Sequence, residues 1–305
     1  MDPKRVIVTG ARGFVGRSTI LPLLRRGYEV HAIVTSKVPA MRPEIVTHRV
    51  DLLDATAVFG TLAAIEASHL LHTAWDVSHG QYWTSPANNV WLEAGKKMLL
   101  AFKDHGGKRA VGLGTCAEYD WRGDSDYHEA HTPLKPATPY GAAKLELSNT
   151  FARASDAAFS TGWARIFNPY GPGEKPQRFI PSVVRSLLGC RAVEMTNGLQ
   201  IRDFLYVDDL GEALSALLDC SVSGAVNVAS GQGVSLRQIA GKIAAKIGHD
   251  DLIKYGALPG RLGEPQTLVA NVSRLVNEVG FHPLVELDSG LEASIAYWLG
   301  EPQAQ

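Results

Sequence analysis

The feature that most constrains this chain stands near its start. Thr9-Gly10-Ala11-Arg12-Gly13-Phe14-Val15-Gly16 follows a strand-like run, Val6-Ile7-Val8, and leads into a helix-like one. Glycines at such a junction allow a tight turn and let the backbone approach a pyrophosphate at the helix N-terminus, where N–H groups and the helix dipole favour negative charge. Three glycines alone would suit an ordinary βα turn as well. The strand before them, the helix after them and the N-terminal position favour a dinucleotide site formed by Gly10, Arg12, Gly13, Phe14, Val15 and Gly16.

The rest of the pattern agrees with a βαβ beginning. A helix is expected from Gly16 to Arg26, ended by Gly27, and a second strand over Glu29–Val34. Further strands are expected at Thr47–Val50, His69–His72, Arg109–Leu113 and Gly162–Ile166, separated by segments of helix length. This alternation implies an α/β fold, a doubly wound parallel sheet of Rossmann type. After Asn168 the residues Pro169, Gly171, Pro172, Gly173, Pro176 and Pro181 crowd a short span that should lack regular structure. A helical run, Asp208–Leu218, and a strand, Ala225–Ala229, then suggest a return to the sheet. The expected division is a dinucleotide-binding domain over 1–167, rejoined by about 203–230, with a smaller mixed α/β substrate lobe over 168–202 and 231–305.

With 305 residues, 45% of them hydrophobic, the chain can bury a large core without covalent staples. A net charge of -1 with interspersed signs argues against nucleic acid or an anionic membrane as partner. Cys116, Cys190 and Cys220 are odd in number and lack metal-ligand spacing, so neither disulfides nor a metal site is expected. The first strand begins too early for a signal peptide and no run is long enough to span a bilayer, so a cytoplasmic protein is expected.

A second constellation concerns proton transfer. Thr138-Pro139-Tyr140-Gly141-Ala142-Ala143-Lys144 reads as an N-cap threonine, a proline at the first helical position, and a helix with Tyr140 and Lys144 one turn apart on one face. A phenol is a poor proton donor or acceptor at neutral pH unless its pKa falls, and an adjacent ammonium together with an oxidised nicotinamide would bring Tyr140 down. The spacing taken alone also fits a packed tyrosine and a solvated lysine.

The Gly-x-x-Gly-x-x-Gly turn, the Tyr-x-x-x-Lys pair and Leu113-Gly114-Thr115-Cys116-Ala117-Glu118-Tyr119 together resemble the extended short-chain dehydrogenase/reductases of the epimerase/dehydratase type, over nearly the whole chain. The resemblance implies that Thr115 bonds the substrate oxygen beside Cys116, that Tyr140 and Lys144 are catalytic and contact the cofactor, and that Asp51 and Leu52 border its adenine. It also implies that Ala74 passes under the cofactor. From the residues alone, Asp51 could equally be a helix cap and Ala74 packing.

NAD-preferring sites usually end the second strand with an acid that bonds the ribose 2'-hydroxyl; here that place is Val34, followed by Thr35-Ser36-Lys37, with Arg12 in the turn. Thr35, Ser36, Lys37 and Arg12 favour NADP(H), because cations and hydroxyls can hold a 2'-phosphate. NAD(H) is the alternative if those cations are surface charges.

Arg165–Gly173, Arg202–Asp209 and Pro259–Glu264 resemble segments of relatives acting on nucleotide sugars, which implies that Asn168, Arg202 and Arg261 bind the diphosphate of a nucleotide-diphosphate sugar and that Val193–Gly198 flanks the base. Arg202 with Asp203 as an internal ion pair is the plain alternative. The 4,6-dehydratases of the family carry Asp and Glu directly after the threonine; Cys116 and Ala117 stand there instead, which disfavours dehydration. What remains is an NADP(H)-dependent reductase of a 4-keto-6-deoxy nucleotide sugar. The alternatives are an NAD-dependent 4-epimerase and, from another class, a non-catalytic NADP(H) sensor, against which intact Thr115, Tyr140 and Lys144 argue. By resemblance a homodimer would form through helices near Asn89–Phe102 and Tyr140–Ala154. His72, Trp75, Tyr82 and Trp83 could line a sugar pocket or belong to the core.

Overall fold

The computed structural model describes residues 4–35, 42–123, 126–260 and 263–301. In chain order the first part comprises β1 (Lys4–Thr9), α1 (Phe14–Ser18), α2 (Ile20–Arg25), β2 (Tyr28–Val34), β3 (Ile45–Arg49), α3 (Ala55–Ile65) and β4 (His69–His72). It continues through α4 (Ala87–Asp104), β5 (Arg109–Thr115), α5 (Pro139–Ala154) and β6 (Ser160–Ile166). Next come β7 (Asn168–Tyr170), α6 (Phe179–Leu188), β8 (Val193–Met195), β9 (Ile201–Tyr206), α7 (Val207–Asp219) and β10 (Gly224–Val228). The chain ends with β11 (Gly233–Ser235), α8 (Leu236–Ile247), β12 (Ile253–Tyr255), β13 (Thr267–Leu268), α9 (Ser273–Asn277) and α10 (Leu287–Gly300).

Among the described residues, seven parallel strands form one sheet in the order β10-β6-β5-β4-β1-β2-β3. Strands of such a sheet are covered on both faces, which is why Val6, Ile7 and Val8 are all buried rather than alternating. One face packs Val6 and Val8 with Leu23, Leu210 and Leu214 from α2 and α7. The other packs Ile7 with Leu62, Leu99 and Leu147 from α3, α4 and α5. A smaller mixed sheet joins β7, β9, β11 and β13. Its lobe has a core of its own, with Ile180, Val184, Ile239, Ile243 and Leu291. The chain re-enters the large sheet through α7 and β10, since β9 belongs to the smaller one.

Two local expectations change. The helix after the glycine turn is broken at Thr19, three residues before Pro22, whose ring would meet the carbonyl of the preceding turn. The proline-rich span also contains regular structure. Pro169 fits in β7 because that strand pairs only with β9 among the described residues, and Pro181 fits in the first turn of α6, where no N–H is needed.

Candidate active site

The glycine turn is closed by close packing. Gly10 has φ +65°, and a Cβ built on it would lie 2.9 Å from the Ala74 backbone; one on Gly16 would collide with the Gly10 carbonyl oxygen. The Gly13 amide donates to the Gly10 carbonyl at 2.8 Å. Behind the turn, Thr73 Oγ1 donates to the Thr9 carbonyl at 2.6 Å and the Ala74 amide donates to Thr9 Oγ1 at 3.2 Å. His72 is core: its Nδ1 lies 2.8 Å from Thr9 Oγ1, and burial pulls its pKa down to about 3.

From this turn a cavity of about 1240 Å³ runs between the lobes. Gly10, Arg12, Gly13, Phe14, Val15, Gly16, Val34, Thr35, Leu52 and Ala74 line one end, and Thr115, Cys116, Tyr140, Lys144, Asn168 and Arg202 line the other part. Leu53 joins Leu52 on the wall, while the Asp51 carboxylate accepts from the Leu53 amide at 3.0 Å and stands outside the lining. Ser36, Lys37 and Arg261 lie outside the described residues. The glycine cradle, which a side chain would fill, and the volume of the cavity fit a dinucleotide.

The expected cap forms: Thr138 Oγ1 accepts from the Gly141 amide at 3.1 Å and Pro139 opens α5. Tyr140 and Lys144 therefore share the buried face of α5. The Thr115 side chain, at the end of β5, hydrogen-bonds the Tyr140 phenol. Lys144 Nζ donates to the Leu113 carbonyl at 2.9 Å and lies 3.9 Å from the centre of the Trp75 ring. The expected lowering of Tyr140 by Lys144 is not found. Burial dominates and pushes the phenol up, with Tyr82 adding to it and the Thr115 bond opposing. The same burial pulls Lys144 down to about 7, with Glu118 opposing.

An aromatic wall surrounds the phenol. Tyr82, Trp83 and Trp75 present edges to it, with ring centres 5.0, 5.7 and 6.4 Å away. The Trp75 and Trp121 indole N–H groups are spent on Asn88 Oδ1 and the Cys116 carbonyl, so these rings offer mainly carbon to the cavity. Cys116 is a buried thiol pushed up to about 12 by desolvation, which makes it a poor proton carrier.

On the second lobe, Arg202 does not pair with Asp203. Its guanidinium donates to Glu264 Oε1 at 2.7 Å and to the Ile201 carbonyl, whereas the Asp203 carboxylate accepts from Ser230, Gly231 and Ala270. Asn168 Nδ2 donates to the Asp203 carbonyl at 3.0 Å. Sequence reasoning missed Glu174, Lys175, Arg178 and Glu264, all on the cavity wall. The proline-rich composition around the first three hid them; the charged Glu174-Lys175 and Arg178 just before a helix were the available signal.

Residues 6–229 match the model described as NAD dependent epimerase/dehydratase family. The chain is 26% identical over 316 residues to the dTDP-glucose 4,6-dehydratase of Streptomyces griseus, covering 96% of this chain and 93% of that protein. It is 27% identical over 319 residues to the dTDP-4-dehydro-6-deoxy-D-allose reductase of Streptomyces bikiniensis, covering 97% and 96%. Among solved structures, the UDP-glucose 4-epimerase of Thermus thermophilus in complex with NAD superposes with a TM-score of 0.86 at 25% identity, covering 97% of this chain and 99% of that one.

Proposed function

Since the chain belongs to the NAD dependent epimerase/dehydratase family, we propose that it is an NADP(H)-dependent reductase of a 4-keto-6-deoxy nucleotide sugar. The observation that carries this reading is the end of β2, where Val34 and Thr35 meet the cavity together with Arg12 and no acid occupies the last strand position. An acid there would repel a 2'-phosphate, and a guanidinium can hold one by charge-assisted bonds. In sequence Thr35 is followed by Ser36 and Lys37, a hydroxyl and a cation.

When bound, the nicotinamide supplies hydride to the ketone carbon. Thr115 holds the ketone oxygen, and Tyr140, whose phenol keeps its proton in this buried place, passes that proton to it. Lys144, on the same helix face, is assigned to the ribose hydroxyls. Gly10, Gly13, Phe14, Val15 and Gly16 hold the pyrophosphate, while Leu52 and Ala74 flank the nucleoside, with Asp51 preceding Leu52 in the chain and outside the cavity lining. Asn168, Arg202 and Arg261 are assigned to the diphosphate of the substrate, next to Cys116. Dehydration is disfavoured on chemistry as well as pattern. Cys116 and Ala117 carry no carboxyl, and Glu118 is consumed by Arg165 and Trp163.

The lobe division 1–167 with about 203–230, against 168–202 and 231–305, belongs to the same reading, as does cytoplasmic residence. Among the described residues no helix is long and apolar enough to cross a membrane. A homodimer through α4 and α5 also belongs to it, and α4 exposes Val90 and Leu100.

A 4-epimerase that retains NAD is the second reading, favoured by the likeness to the Thermus enzyme solved with NAD. Denaturing the purified protein and identifying any released dinucleotide separates the two. Near-stoichiometric NAD would overturn the reductase. NADP(H), or an exchangeable site, followed by NADPH oxidation with a 4-keto-6-deoxy nucleotide sugar, supports it.

A further inference from the structure

Glu174 is a buried acid that the proposed reaction does not use. It stands on the cavity wall with 6% of its surface exposed. Its Oε1 accepts from Arg178 Nε at 3.3 Å, the Gly171 backbone also bonds the carboxyl, and Oε2 is buried without a partner. The loop that carries it is held from the first lobe, since the Arg17 guanidinium donates to the Pro172 carbonyl and fills the space beside Gly173, where φ is +74°. Arg178, at the start of α6, is more open than its partner and lines the same cavity.

We propose that Glu174 is a positioning residue that sets how much of the Arg178 positive charge is available to an anionic group in the cavity. The proposal rests on reading the cavity as a nucleotide-sugar site, the anion being the diphosphate. Burial pushes the Glu174 carboxyl up to about 7, opposed by Arg178. Below that pH the carboxyl is neutral and Arg178 offers its full charge to the ligand. Above it the carboxylate neutralises the guanidinium, and diphosphate binding weakens. By linkage, the bound diphosphate favours the protonated acid, so binding near neutral pH takes up a proton. Of the other charged groups around the loop, Lys175 donates to the Val77 carbonyl, Arg202 pairs with Glu264, and Arg17 faces Gly173 and Pro172. Asp76 and His79 line the cavity as well. Arg178 is the group whose charge acts on Glu174.

Calorimetric titration with UDP-glucose and with dTDP-glucose tests this, because a diphosphate esterified at both ends keeps constant charge through the neutral range. In the unaltered protein, affinity should fall on the order of tenfold between about pH 5.5 and about pH 8, with buffer-dependent heats that report proton uptake. Glu174→Gln should bind throughout as the unaltered protein does in acid, without proton uptake. Arg178→Gln should bind throughout as the unaltered protein does in base. A pH-independent affinity without proton exchange in the unaltered protein, or a dependence that survives in Glu174→Gln, overturns the role of Glu174 alone. Failure of both nucleotide sugars to bind at any pH overturns the substrate class, and the proposal with it. If Glu174→Gln does not fold, the proton uptake of the unaltered protein and the Arg178→Gln titration still decide.

Discussion

Tyr140 lies among the edges of Trp75, Tyr82 and Trp83, with the Thr115 side chain as its hydrogen-bond partner, and burial holds its proton in place. Removing only the phenol oxygen leaves the packing and deletes the proton donor. Tyr140→Phe should therefore lose nearly all turnover while keeping dinucleotide affinity within a few-fold, as read by fluorescence titration. Turnover at the unaltered rate would remove Tyr140 from the mechanism. Trp75 acts on the neighbouring charge. Its indole face meets the Lys144 ammonium at 3.9 Å, an interaction of about 1–2 kcal/mol that favours the charged form against the burial that brings Lys144 to about 7. In Trp75→Leu the ammonium should lose its proton at lower pH. The limb of the pH–rate profile near 7 should then move toward acid, and an unmoved limb would mean that the ring does not tune Lys144.

The junction of β5 with α5 shows how elements hold those residues. The Glu118 carboxylate, fully buried just after β5, accepts from the Thr115 amide at 2.9 Å, Trp163 Nε1 at 3.0 Å and Arg165 Nε at 2.8 Å. Glu118→Ala would leave Arg165 charged and unpaired beside Tyr119, at a cost of about 3–5 kcal/mol measurable as a lower denaturant midpoint. Turnover should fall further than stability accounts for, because the Thr115 backbone loses its anchor. A change within about 0.5 kcal/mol would show the network to be dispensable. The α5 end of this junction was legible, since Thr138, Pro139, Tyr140 and Lys144 act within seven consecutive residues of one helix start. So were the glycine turn and the parallel strands, whose signals are local periodicity and backbone freedom. Trp163 and Arg165 were not legible as partners of Glu118, because that pairing spans more than forty positions and exists only once β5 and β6 lie side by side. The Glu174–Arg178 pair was hidden for a different reason. It is local in sequence, yet its meaning depends on burial against a cavity that two lobes make together.

Asp203 joins the two lobes at the scale of the whole molecule. It sits on β9 of the smaller sheet, and its carboxylate accepts from the Ser230 amide at 2.8 Å, Ser230 Oγ at 2.6 Å and the Gly231 amide at 2.9 Å, in the segment leaving β10 of the large sheet. A fourth bond, from the Ala270 amide at 3.2 Å, ties in the chain beyond β13. Asn227 of β10 in turn bonds the carbonyls of Tyr127 and Asn271, so the last strand of the large sheet is fastened beyond its pairing with β6. Bonds to a charged acceptor are each worth about 1.5–3 kcal/mol, and their loss here would weaken the connection between lobes more than either core. In Asp203→Ala, the two lobes should therefore stop unfolding together. Hydrogen exchange under increasing urea should open α8 and α10 well before β1, β4 and β5, whereas in the unaltered protein these elements should open in one transition. Coincident opening in the variant would mean that the interface is carried by the apolar contacts of Phe167, Ala229, Leu268 and Ala270 instead.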